Sequence, residues 1–237
     1  MSRNPAGVRI RRELDSLARR EVNFDPGRLS ELSRGDPWHV DDYCTQLPSE
    51  LSGPPLDGGS FEVARRLMRH YEFANPRVVR AFYGAGAPLE RRNMLLQIRF
   101  AGLRFLVGVR IEVVFDETRE IDGRRVRVWG WAYRTLDGHL ERGQMDYQVW
   151  KWLDTGRIEF RIHAVSEIAD IPNPLVRFGF RLLGRREQVR FARECGSRMV
   201  RLTQASLASG GDAEPRPRIV DGLVVSPTAG DEPTLER

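Results

Sequence analysis

Apolar and polar residues alternate along much of the middle of this 237-residue chain, from Met94 to Ala164. Val107, Val109, Ile111, Val113 and Phe115 alternate with Gly108, Arg110, Glu112 and Asp116. Successive side chains of a strand point to opposite faces, so this period of two predicts a sheet with one buried face. Asp122-Gly123 supplies a two-residue hairpin turn. Val126, Val128, Gly130 and Ala132 then alternate with Arg127, Trp129, Trp131 and Tyr133. Asp137-Gly138 makes the next turn and is followed by Met145, Tyr147 and Val149. A turn at Asp154-Thr155-Gly156 leads to Ile158, Phe160, Ile162 and Ala164. The pattern predicts an antiparallel meander of about five strands. "WHVDDYCTQ" (38–46) adds one more candidate strand.

Helical spacing flanks this region. Ser60 is a good N-cap for a helix whose face is Phe61, Ala64, Leu67, Met68 and Tyr71. Asn75 ends it, and Pro76 can open a shorter second helix. Beyond Pro172 and Pro174 a long helix is expected to about Thr203, with Ala192, Cys195, Met199 and Leu202 as its apolar stripe. Near the start, Ile10, Leu14 and Leu17 suggest a short helix followed by a loop. "PSELSGPPLDGGS" (48–60) punctuates regular structure, and "GAGAP" (84–88) reads as a linker. Three segments result: an N-terminal helix and loop extension (1–37), a core domain (38–204) and a disordered acidic tail (205–237). The tail is rich in Gly, Pro, Ser and acids and has one short apolar run, too little to offset its ordering entropy. The predicted class is α+β, a curved antiparallel meander packed on a long C-terminal helix. That element order is the helix-grip arrangement, in which a cavity can lie between sheet and helix; a filled sandwich has the same order.

Composition narrows the picture a little. The net charge is +5, unevenly spread, with +6 in residues 172–204. Lys151 is the only lysine among 38 basic residues, which codon bias explains. A basic helix alone is no nucleic-acid reader, so no specific nucleic-acid partner is expected. Peripheral contact of that helix with an anionic membrane is the corresponding alternative. No run approaches the ~20 apolar residues of a membrane span. No secretory leader is visible at the start, and two cysteines are too few for a disulfide framework. A soluble cytoplasmic protein is the expectation. Walker loops, dinucleotide fingerprints and Gly-x-Ser-x-Gly elbows are missing, so no cofactor is expected. Oligomeric state is open.

The chemistry concentrates in "GWAYRTLDGHLERG" (130–143). Gly130, Tyr133, Thr135, Leu136, Gly138, His139, Glu141 and Gly143 together resemble the signature of the DUF1990 family, also catalogued as an uncharacterised protein family of bacteria and plants. "AVSEIADIPNPLVRFGFRLLGRREQVRFAREC" is similar to that family's arginine-rich ending. Arg134, Gln144 and Met145 depart from the common pattern. The resemblance implies a START/Bet v 1-like helix-grip fold and no established activity.

His139 and Glu141 lie two apart and so share a strand face. They are either a polar anchor shaping the turn or a base with its orienting carboxylate. A metal site would need a third close ligand, and none is expected. Trp129, Trp131 and Tyr133 share one face, with Tyr147 on the neighbouring strand, while Trp150 and Trp152 share another. The first set is either an aromatic ligand wall or ordinary packing. His163 reads as solvent-facing, and Cys44 and Cys195 as buried or inert thiols. The leading expectation is a noncatalytic module binding a small apolar or lipid-like ligand. Its ligand-binding residues are Trp129, Trp131, Tyr133, Tyr147, His139 and Glu141. The alternative is a hydrolase or isomerase with His139 and Glu141 as catalytic residues.

Overall fold

The computed structural model describes residues 5–29, 38–100, 102–169 and 174–228, the last segment with side chains from 186 onward. Residues 30–37 of the extension, the proline-punctuated stretch at 170–173 and the tail beyond 228 lie outside these. The order is α1 (Pro5–Ser16), β1 (His39–Leu47), α2 (Ser60–Arg69), β2 (Val79–Gly84), β3 (Asn93–Phe100), β4 (Leu103–Ile121), β5 (Arg124–Thr135), β6 (Glu141–Trp152), β7 (Ile158–Ile168), α3 (Pro174–Ala208), β8 (Arg218–Val220) and β9 (Leu223–Ser226). The nine strands among the described residues form one antiparallel sheet in the order β1-β7-β6-β5-β4-β3-β2-β9-β8.

Strands β3 to β7 are the expected meander. Asp122 and Gly123 both take positive φ, 51° and 72°, as a type I′ hairpin turn requires. The β4–β5 register slips between Ile111 and Val113, an irregularity of the kind that bends a strand. Trp131, Tyr147, Phe160 and Ile162 fill the inner face, where α2 and α3 pack with Phe61, Leu67, Cys195 and Met199. This sheet around a long C-terminal helix is the helix-grip α+β arrangement. No helix among the described residues is long and apolar enough to cross a membrane.

Three expectations are corrected. Pro76 opens no second helix. Asn75 Oδ1 accepts the Arg77 amide, and the Asn75 carbonyl accepts the amides of Val78 and Val79, turning the chain directly into β2. Val79, Ala81 and Tyr83 are buried there, and β3 supplies the partner edge. A β-branched pair with strand neighbours on hand outweighs the proline signal.

Residues 205–237 are not simply a disordered tail. Arg218–Val220 and Leu223–Ser226 form a hairpin, and β9 pairs with β2 from Ala81 to Gly84. Leu223 and Val224 are buried, and Ser226 and Thr228 bind the buried Glu72 carboxylate. The short apolar run finds an open sheet edge, and that compensates its polar surroundings.

The N-terminal helix is likewise more than an extension. Ile10, Leu14 and Leu17 pack with Phe82, Leu95, Leu106 and Val225 in a second apolar cluster. Arg110 donates to the carbonyls of Leu17 and Arg20, closing the ends of this helical segment against β4.

A candidate site between sheet and helix

The turn that carries the motif is built from its own residues. His139 N–H donates to the Leu136 carbonyl at 3.0 Å across Asp137-Gly138, with Gly138 at φ 84°, as a type II turn requires. Thr135 Oγ1 accepts the Gly143 amide at 2.9 Å and joins the two strands behind the turn. Gly143 is required by close approach, because a Cβ there would stand 2.0 Å from the Val165 carbonyl oxygen. Gly130 is required likewise, with the Tyr147 carbonyl 2.2 Å from its Cβ position. The glycines let β5, β6 and β7 draw together where the sheet curves.

His139 is 9% exposed. Its Nδ1 lies 3.1 Å from the Glu141 carbonyl and 3.0 Å from the Glu141 amide, which can only donate; where Nδ1 accepts that amide, the neutral ring carries its proton on Nε2. Burial pushes its pKa down to about 4, against the raising effect of the Glu141 backbone. The ring is therefore neutral at physiological pH. Glu141 behaves oppositely: burial lifts its carboxyl to about 7, and the Gln188 amide bonded to Oε1 only partly restrains it. The imidazole thus holds the Glu141 backbone while the carboxylate goes to Gln188. Among the described residues no hydrogen bond joins the His139 imidazole to the Glu141 carboxylate, as a base and its orienter would need.

These groups line a cavity of about 110 Å³ on the inner face of the sheet, under α3. Leu96, Ile98, Leu140, Met145 and Phe191 form most of its apolar wall, with Tyr71, Val78, Val79 and Tyr133. Arg99, Glu187 and Gln188 are the polar residues that join His139 and Glu141. Tyr71 reaches the wall from just beyond α2 with φ 62°, a left-handed conformation that costs a bulky residue energy.

Of the residues singled out in the sequence, Tyr133, His139 and Glu141 come together at this cavity. Trp129, Trp131 and Tyr147 face the same side but lie among the core residues and do not line it. Trp131 Nε1 donates to the Met68 carbonyl, and the Trp131 and Tyr147 rings pack with Tyr71 and Phe73 under α2. Trp150 and Trp152 lie on the outer face with Val126 and Val128, beneath the guanidinium groups of Arg161 and Arg124. His163 is outward too, its Nδ1 2.8 Å from Asp42 Oδ1. Of the two thiols expected to be buried or inert, Cys195 is buried and Cys44 is exposed on the edge strand. Three or more metal-ligating side chains are nowhere clustered among the described residues.

The charge state of Glu141 has a measurable consequence. In the unfolded chain a glutamate loses its proton near pH 4.3. In the folded protein the proton is retained to about 7. Between these values the native state binds more protons, so stability falls as pH rises through the window. Glu141→Gln removes this penalty while leaving a carbonyl for Gln188. Denaturant melts should show the variant more stable than wild type by on the order of 2–3 kcal/mol at pH 8, with no advantage at pH 4. A variant less stable at both values would contradict the assignment.

A curved antiparallel sheet closed by a C-terminal helix over a small, mostly apolar cavity defines a helix-grip protein with a candidate ligand site. Sequence comparison gives the family: residues 27–198 match the "Domain of unknown function (DUF1990)", and the chain belongs to it. No curated protein sequence matches the chain. Among solved structures it is similar to Ara h 8.0201, with 7% identity and a TM-score of 0.39 over 69% of this chain and 99% of that one. It is also similar to a Thalictrum norcoclaurine synthase point mutant in complex with a transition-state analogue. That likeness has 7% identity and a TM-score of 0.43 over 70% of this chain and 94% of the other.

Proposed function

We propose that this protein is a noncatalytic binding module for a small apolar ligand, held in the cavity between the sheet and α3. The observation that carries the reading is the cavity wall: Leu96, Ile98, Leu140, Met145 and Phe191 make it mostly apolar, with His139, Glu141 and Gln188 among its few polar groups. Apolar walls with a few convergent polar groups are the usual composition of a ligand site. At about 110 Å³ the cavity suits a group of ring size, since an engineered apolar cavity of about 150 Å³ admits benzene. A longer lipid-like chain needs α3 to move outward. The ligand set is accordingly Tyr133, His139 and Glu141, with Ile98, Met145, Gln188 and Phe191 added and Trp129, Trp131 and Tyr147 in a supporting role.

One observation favours a second reading, an isomerase or hydrolase. A carboxyl that titrates near 7 is matched to proton transfer at neutral pH. In that case Glu141, not the weakly basic His139, is the acid–base group. Native mass spectrometry of protein purified from its own source tests the binding reading. A retained small neutral molecule is expected; a spectrum of the bare chain alone contradicts it.

A further inference from the structure

The polar corner of the cavity has a definite hydrogen-bonding complement. His139 keeps Nδ1 on the Glu141 backbone, 3.0 Å from its amide and 3.1 Å from its carbonyl; with the amide donating to Nδ1, Nε2–H is a donor with no partner among the described residues. Its ring is 9% exposed and lines the cavity. Glu141 receives the Gln188 amide on Oε1, and Oε2 has no hydrogen bond among the described residues. One donor and one acceptor, two residues apart where the turn enters β6, therefore meet one small apolar space.

We propose that the cavity selects a neutral, ring-sized apolar molecule carrying one hydroxyl, phenolic or alcoholic, received between His139 Nε2–H and Glu141 Oε2. The inference rests on the binding reading above. A hydroxyl both donates and accepts, so it satisfies the two groups at once. An ammonium only donates and opposes the Nε2–H. A carboxylate only accepts and meets the Glu141 carboxyl. Arg99 and Glu187, on the same cavity wall, carry opposite charges and leave no net preference for an ion. An apolar ligand with no polar group takes water from both groups without replacing its hydrogen bonds, and that loss is what discriminates.

Four probes share a tolyl body and differ only in the head group: p-cresol, toluene, 4-methylbenzylamine and p-toluate. Each is titrated into the full chain at pH 7 while the Met145 methyl resonance reports occupancy of the cavity by NMR. The expected result is that p-cresol binds at least about tenfold more tightly than toluene and more tightly than either ion. One well-made buried hydrogen bond is worth roughly that factor. His139→Phe, which keeps a ring and loses the donor, should bring p-cresol and toluene close together. Equal binding of p-cresol and toluene by wild type overturns the hydroxyl selection and leaves the binding module standing. Tightest binding of the amine or the carboxylate overturns it in favour of a charged ligand. If none of the four shifts Met145, both the selection and the binding reading fail.

Discussion

Lys151→Met should lower stability by about 3–5 kcal/mol, a large fraction of what a domain possesses. Lys151 is wholly buried at the end of β6, and its Nζ donates to Glu50 and to the Pro54 carbonyl. Glu50, 4% exposed in its side chain, also accepts the amides of Leu56 and Phe61. The Phe61 amide belongs to the first turn of α2, where Gly59 offers no side-chain cap. The Pro- and Gly-rich stretch 48–60 is thus tied by one ion pair to the sheet and to the helix start. Removing the ammonium strands a buried carboxylate, and that stranding is the main cost. The double variant with Glu50→Gln should recover part of the loss, because no uncompensated charge remains. Urea unfolding of wild type and the two variants measures this; a loss under about 1 kcal/mol for Lys151→Met would mean that the pair is effectively solvated.

Truncation after Ser209 should be similarly damaging. It removes β8 and β9, leaving the β2 edge unpaired from Ala81 to Gly84 and taking away the buried Leu223 and Val224. It also takes Ser226 Oγ and the Thr228 amide and hydroxyl from Glu72, which is fully buried and receives all three at 2.8–2.9 Å. Arg66 loses its bidentate partner Glu214 as well. Two buried apolar side chains contribute about 1.5–3 kcal/mol each, and Glu72, left with Arg198 4.0 Å away but without its three hydrogen bonds, adds about 1–3 kcal/mol. A domain of this size loses about 2–4 °C per kcal/mol, so the melting temperature should fall by at least roughly 10 °C. Calorimetry showing a change of only a degree or two would return residues 210–228 to the status of a dispensable tail.

The meander and the long last helix were legible because their signals are local. Alternation from Val107 to Ala164 and turn pairs such as Asp122-Gly123 require no knowledge of the partner strand. Strands β2 and β9 were hidden for the opposite reason. Pro76 before β2 imitates a helix start, and the four residues Leu223–Ser226 sit within a Gly- and Pro-rich context. They meet across about 140 intervening residues of chain, β2 between β3 and β9 and β9 between β2 and β8, and these partners make them strands. Side-chain parity correctly put Trp129, Trp131 and Tyr133 on one face and Trp150 and Trp152 on another. Parity says nothing of depth along that face, so it could not separate Tyr133, at the cavity, from Trp131, beneath α2. His139 and Glu141 were found from the motif. Ile98, Gln188 and Phe191 were not, because they join the site only when β3 and α3 converge on β6. Lys151 offered one signal, its being the sole lysine, which composition alone attributed to codon usage.

The central claim is that the space among Ile98, Met145 and Phe191 holds a ligand. Ile98→Trp places an indole in that space, which at about 110 Å³ has no room for both the indole and a ligand. The deciding measurement is native mass spectrometry of wild type and Ile98→Trp, each produced in the protein's own source and purified identically. The account predicts a small-molecule adduct on wild type that is absent from Ile98→Trp. The same adduct on both chains, or on neither, would contradict it.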